Sequence, residues 1–129
     1  MLDLKSMIIG VLFGVALVFS FGATWIFDAK IIENLFLNRL VNMHGTLLPR
    51  DRGGAPYSWL AMRRARLGTS LFHLVDEGTD TGDIIMMREF IYPASCKKPA
   101  DYHSLSVSNG TELFTEFLDK LEKWRIKRA

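Results

Sequence analysis

A single cysteine among 129 residues excludes an internal disulfide framework and a multi-cysteine zinc knuckle. Proline is scarce, at four, and no tract repeats or is compositionally biased, so collagen-like and low-complexity architectures do not apply. An excess of charge of one sign is also lacking. Sixteen basic against 14 acidic residues leave +2, too little by itself to argue for nucleic acid. With 49% apolar and 23% charged residues the chain is not disordered, and its length suits one domain.

Charge is nearly missing from the first third. Before Arg50 only Asp3, Lys5, Asp28, Lys30, Glu33 and Arg39 carry it. Residues 7–27 have none over 21 positions, long enough for a bilayer-spanning helix, with Lys5 before and Asp28 after. A second reading competes. Residues 15–22 are rich in Val and Phe, as a strand buried on both faces of a sheet would be. Periodicity does not choose between lipid and sheet.

The sheet reading continues coherently. Asp28 suits a helix N-cap, and Ile31, Ile32, Leu35 and Phe36 share one face of the helix after it. A short strand over 40–43 completes a βαβ pattern. Residues 44–55 form a loop, and Pro56 opens a helix running to about Arg64. Strands are expected over 67–75 and 84–92, separated by an acidic loop over 76–83 that is polar and exposed. Pro99 opens a last helix running to about Ile126, with Tyr102, Leu105, Leu113, Phe117, Leu121 and Trp124 at helical spacing. Gly110 predicts a break near 108–110. Lys120, Lys123, Arg125, Lys127 and Arg128 read as a solvated helix end rather than a nucleic-acid patch.

Two places carry chemistry. Asn42 and His44, two apart at a strand end, project on the same side, where open α/β sheets bind ligands. An asparagine amide can donate to a developing oxyanion, and a histidine can move a proton near neutral pH. Asp80, in the acidic loop, is a carboxylate able to orient that imidazole or hold a water. The trio suits acyl transfer to an amine. Blander readings stand beside it: Asn42 as a turn cap, His44 as a satisfied loop histidine, His73 as a structural strand residue, His103 as an exposed helix residue. Asp76, Asp80 and Asp83 offer oxygen ligands without calcium-hand spacing. Arg50, Arg52, Arg63, Arg64 and Arg66 form a basic cluster able to hold a phosphate or carboxylate. Cys96, before two lysines, reads as a bystander thiol.

Two segments resemble the formyltransferases that use 10-formyltetrahydrofolate. Residues 42–53, from Asn42 and His44 through Leu47-Leu48-Pro49 to Arg52-Gly53, are similar to that family's Asn-x-His-x-x-Leu-Leu-Pro-x-x-Arg-Gly. Residues 73–85, with His73, Asp76, Gly78, Asp80, Gly82, Ile84 and Ile85, are similar to its His-x-x-Asp-x-Gly-x-Asp-x-Gly-x-Ile-Ile. The resemblance implies an α/β, partial Rossmann-like domain with a mixed sheet flanked by helices. It implies formyl transfer from 10-formyltetrahydrofolate to a small-molecule amine. Asn42 would polarise the formyl oxygen and stabilise the tetrahedral intermediate, His44 would relay the proton or steady the oxyanion, and Asp80 would orient His44. Folate contacts would come from Trp25, Ile26 and Phe27, and from Val75, Asp76, Glu77, Gly78 and Thr79. Arg50, Arg52 and Gly53 would meet the amine substrate. No metal is implied.

Residues 20–27 resemble the sugar N-formyltransferase branch, which implies an amine on a nucleotide-linked sugar. The chain departs from the pattern at Gly45-Thr46, where Pro or a similar residue is usual, and at Leu71, where Thr is common. Strands and helices that precede residue 15 in the family have no counterpart, so residues 15–129 are expected to be the C-terminal portion of a catalytic domain and 1–14 an apolar extension. A cytoplasmic enzyme is the expectation. The alternative is an inactive or regulatory fragment anchored by a transmembrane helix over 7–27.

Overall fold

The run rich in Val and Phe forms strand β2 (Val15–Phe21), paired on both edges. On one side lies β1 (Met7–Leu12), antiparallel, with Met7 opposite Ser20. On the other lies β3 (Leu40–His44), parallel, with Ser20 opposite Asn42. The antiparallel strands β4 (Leu67–Leu74) and β5 (Ile84–Ile91) follow, so the five-stranded sheet runs in chain order. The computed structural model describes residues 7–12, 15–22 and 26–128, with side chains over 17–22 and 26–123.

The mixed sheet flanked by helices matches the α/β expectation. A transmembrane helix over 7–27 does not fit, because 7–12 and 15–21 are strands. Their backbone groups find partners in sheet ladders rather than within one helix, and a two-sided ladder suits β-branched and aromatic residues. Among the described residues no helix is long and apolar enough to cross a membrane.

Helix α1 (Ala29–Asn34) begins where the sequence places it, with the Asp28 carboxylate accepting the Ile31 N–H at 3.0 Å. Leu37 and Asn38, both at positive φ, turn the chain back into β3. Ile32 and Phe36 pack on Phe27 and Leu40, with Val18 and Val75 beside them. This closes one face of the parallel β2–α1–β3 unit.

The opposite face carries helix α3 (Pro99–Arg128). Phe19, Val41 and Phe72 of the sheet meet Leu113 and Phe117 of the helix. Phe114 packs edge-on to Phe19 and Phe21, with ring centroids 5.0 and 5.3 Å apart. Arg88 on β5 bonds Glu112 and Glu116 of the helix.

The expected break at 108–110 is absent, because Gly110 has a packing role. Gly110 is buried against Met43, and a Cβ there would lie 2.5 Å from the Met43 sulfur. The propensity cost of a helical glycine, about 1 kcal/mol, is outweighed by letting helix and sheet close up. The Trp124 side chain lies outside the described ones.

Gly110→Val should therefore lower stability by about 1–3 kcal/mol through overpacking. Urea unfolding would show this as a lower midpoint at unchanged slope. Adding Met43→Ala should recover part of the loss, which a pure backbone effect would not allow.

Candidate active site

Strand alternation sorts β3 into two faces. Val41 and Met43 face α3, whereas Leu40, Asn42 and His44 project toward the α1 side. On β4, Phe72 faces α3 and His73 projects the other way. Asn42 is the register partner of both Ser20 and His73. The sheet thus carries a short polar row across three strands, with His44 one step further along.

His44 is buried and held at both ring nitrogens. Its Nδ1 lies 3.0 Å from the Thr46 carbonyl oxygen and 3.1 Å from the Thr46 hydroxyl. That hydroxyl donates its own hydrogen to the Asp51 carbonyl at 3.1 Å, so Nδ1 is the donor toward Thr46. Nε2 lies 3.2 Å from Asp80 Oδ2. Both nitrogens therefore face oxygen atoms.

Asp80 was expected in an exposed polar loop, but its side chain is only 20% exposed. It sits at a positive φ of 53°, a conformation aspartate tolerates better than most residues. Besides His44 it accepts the Gly53 N–H at 3.0 Å. Gly53 presents that amide from a φ of 89°, where a side chain would be strained. The hydrogen bond from His44 does most to hold the Asp80 carboxyl down, to about 2, with Gly53 assisting and burial opposing.

His73, expected as a structural strand residue, belongs to the site. Its Nδ1–H donates to the Leu74 carbonyl at 2.8 Å, leaving Nε2 to accept from Asn42 Nδ2 at 3.3 Å. Burial pushes its pKa below the usual histidine value, so the ring is neutral. The 3.7 Å approach of its Nε2 to Asp80 Oδ1 is thus a close contact and not an ion pair. The available signal was its place at the head of the second motif, seven residues before Asp80.

The loop over 44–55 is pinned from outside. Asp51, nearly buried, takes two bonds from Arg63, at 2.7 and 2.8 Å, and one salt bridge from Arg50 at 3.3 Å. Arg63 lowers the Asp51 pKa most. It follows helix α2 (Pro56–Met62), which starts at Pro56 as the sequence predicts. In the acidic loop, Asp76 Oδ1 accepts the Gly78 N–H at 3.0 Å and the Thr81 hydroxyl at 2.5 Å. That carboxylate closes a local turn, and among the described residues no cluster of His, Cys, Asp or Glu is arranged to hold a metal ion.

A cleft of about 480 Å³ opens over these groups. Asn42, His44, Asp80 and His73 line its polar corner. Of the expected folate contacts, Ile26, Phe27, Val75, Asp76, Gly78 and Thr79 line it. Glu77 is exposed and does not, and Trp25 lies outside the described residues. Gly53 lines the cleft, but Arg50 and Arg52 do not, because Arg50 turns to Asp51 and Arg52 is exposed. Tyr57 on α2 lines it too and was not foreseen.

The sequence profile of the family described as formyl transferase matches residues 15–94. Methionyl-tRNA formyltransferase of Thermodesulfovibrio yellowstonii is 34% identical over 83 residues, covering 64% of this chain and 27% of the relative. The Myxococcus xanthus enzyme of the same name is 39% identical over 79 residues, 60% of this chain and 25% of the relative. The chain thus spans about a quarter of these relatives' length. Among solved structures, the formyltransferase PseJ from Anoxybacillus kamchatkensis, in complex with UDP-4,6-dideoxy-4-formamido-L-AltNAc and tetrahydrofolate, superposes with TM-score 0.68 and 28% identity. The match covers 78% of this chain and 52% of that one. An N-formyltransferase from Helicobacter canadensis, in complex with folinic acid and dTDP-3-aminofucose, gives TM-score 0.68 over 81% of this chain and 38% of that one. At 23% identity this second likeness is one of fold.

Acid should destabilise the chain in two stages. His73 is held neutral in the fold, so the unfolded chain takes up a proton more readily below its ordinary value of 6.5, and stability drops as pH falls past it. Asp80 contributes stability above its ordinary 3.8 that is lost as pH falls toward about 2. That second contribution is on the order of 1–2 kcal/mol. Urea midpoints measured from pH 8 to 2 should show both stages, and Asp80→Asn should erase the lower one.

Proposed function

Because the chain belongs to the formyl transferase family, we propose that its cleft serves formyl transfer from 10-formyltetrahydrofolate to a primary amine. The observation that carries this reading is the meeting of His44 Nε2 with Asp80 Oδ2 at 3.2 Å, beside the Asn42 amide, in one cleft. Two stretches far apart in sequence meet there, as acyl transfer requires of an oxyanion donor and a proton-handling pair.

The residues present fit a folate. Ile26, Phe27 and Val75 offer an apolar wall for a flat heterocycle, and the backbone of 76–79 offers polar edges. The bound donor would supply an activated formyl carbon to which the amine adds, and the folate nitrogen would leave with the proton that the amine gives up. Asn42 Nδ2 donates to the formyl oxygen as negative charge develops there. His44, fixed at Nδ1 by Thr46, keeps its Nε2 on Asp80 Oδ2 and so holds that carboxylate beside the reacting centre. Asp80, ionised across the neutral range, orients His44 and takes the amine's proton directly or through a water.

A nucleotide-linked amino sugar is the amine this reading favours, on the strength of the ligand held by the PseJ structure. Of the two arginines expected at the amine substrate, only the exposed Arg52, just before Gly53, is left free of Asp51, and it is assigned to the phosphates. The curated relatives favour a second amine, methionyl-tRNA. Residues 15–129 act as part of a catalytic domain whose sheet β1 (Met7–Leu12) also joins, and the setting is cytoplasmic.

The test mixes the chain with 10-formyltetrahydrofolate and, separately, nucleotide-linked amino sugars and methionyl-tRNA, and follows tetrahydrofolate release. Turnover with a sugar is expected, and Asp80→Asn should cut it by about 10²–10⁴-fold. Failure of calorimetry to detect any folate binding would remove the reading.

A further inference from the structure

The row of side chains across β2, β3 and β4 holds an imbalance. Ser20, Asn42 and His73 are direct register partners, Ser20 with Asn42 and Asn42 with His73. They lie on the face turned away from α3, where Phe19, Val41 and Phe72 alternate with them. The central amide is polarised by its neighbours. His73 Nδ1–H is committed to the Leu74 carbonyl at 2.8 Å, so Nε2 offers only a lone pair. It accepts from Asn42 Nδ2 at 3.3 Å, which turns the amide oxygen the other way along the row. That oxygen, Asn42 Oδ1, is buried and meets no donor among the described residues. The Ser20 hydroxyl on the adjacent strand, on a residue only 1% exposed, is buried and unpartnered as well.

Two orphaned polar atoms of complementary chemistry in neighbouring register are improbable as independent accidents. Each is costly to bury if left unmet. We propose that Ser20 is a positioning residue whose hydroxyl donates to Asn42 Oδ1, directly or through one buried water, so that Ser20 and His73 together fix the asparagine amide with its second Nδ2–H turned to the cleft. The hydroxyl is a donor with one free rotation and the amide oxygen an acceptor with two lone pairs, so the two are chemically matched for a direct or water-bridged bond. An amide free to flip would present an oxygen, not an N–H, to the cleft, and repel a developing oxyanion. Ser20 acts through Asn42 and touches no substrate. Its catalytic consequence rests on the formyl-transfer reading above, whereas the orientation of the amide does not.

Two experiments test it on the full chain. The first needs no turnover. A high-resolution crystal structure of the unmodified chain should show Ser20 Oγ within 3.2 Å of Asn42 Oδ1, or one water within reach of both. In NMR spectra a through-hydrogen-bond coupling should link Asn42 Nδ2 to His73 Nε2. A flipped amide, with Oδ1 toward the cleft, or no such coupling would overturn the proposal whatever the enzyme does. The second compares Ser20→Ala with Ser20→Thr. Loss of the hydroxyl should lower kcat about tenfold with KM for the folate donor within about twofold, the split expected when an interaction acts in the transition state. It should also speed exchange of the Asn42 side-chain amide protons. Ser20→Thr, which keeps the hydroxyl, should restore both. An alanine variant with unchanged amide exchange would overturn the assignment even if its stability fell. Absence of turnover in every form, with the crystal and NMR results as expected, would count against the formyl-transfer reading alone.

Discussion

The carboxylate of Asp80 is the point where the site is tied together. It receives His44 from the end of one strand and the Gly53 amide from the loop that follows, and it stands in a different loop itself. Without it, the stretches 42–53 and 73–85 would be joined by the β3–β4 ladder and the Asn42–His73 bond within it, which orient their strands and not the loops beyond. The cost is visible in the backbone. A non-glycine residue at positive φ is held there by two hydrogen-bond partners, His44 and Gly53, which is the over-determination that lets such a conformation persist at a functional position.

The sheet makes that expenditure tolerable by separating its two faces. Toward α3 it presents Phe19, Val41 and Phe72, an apolar surface on which Leu113 and Phe117 pack, with Ser70 and Arg88 paired to the helix beside it. Toward the cleft it presents Ser20, Asn42, His44 and His73, groups that are expensive to bury unless each is hydrogen-bonded. The strand period of two enforces the division, since a slip of one residue would exchange the faces wholesale. The wide aromatic contact on one side therefore fixes the register on which the polar geometry of the other side depends.

Much of this was legible in the sequence, and the misses share a cause. The βαβ unit, the Asp28 cap, the Pro56 and Pro99 helix starts and the strand pair around the acidic loop follow from local signals, each found close to its expected place. Asn42, His44 and Asp80 were legible as chemistry from spacing and motif, and they do meet in one cleft. What sequence could not supply was anything set by contact between elements. Gly110 reads as a helix breaker until Met43 is seen beneath it. His73 reads as a strand residue until its register with Asn42 is known. The arginine cluster reads as one basic patch, but Arg63 and Arg50 are drawn off by Asp51, leaving Arg52 exposed. The charge-free stretch 7–27 reads equally as lipid-facing helix or sheet, because only a neighbouring ladder distinguishes them.

The two loops that frame the cleft are built to different stiffness. The segment 46–53 is anchored at three separated points: Thr46 to His44, Asp51 to Arg63, and Gly53 to Asp80. All three reach beyond the loop or into the catalytic pair, so the loop moves only if the pair moves with it. The segment 76–79 is organised by Asp76 bonding its own neighbours Gly78 and Thr81, while its flanks are held by Leu74 N–H to the Asp83 carbonyl and Val75 N–H to the Leu40 carbonyl. Local bonds between flanking anchors let a loop shift without disturbing what lies outside it. Under the reading proposed above, adjustment to a ligand falls to 76–79, while Asp80, though it lies inside the Asp76–Thr81 turn, is held with Asn42 and His44 through its bonds to His44 and Gly53. A site divided in this way can adapt to the shape of its ligand and still keep fixed the donors that face the reacting oxygen, which is what electrostatic preorganisation requires.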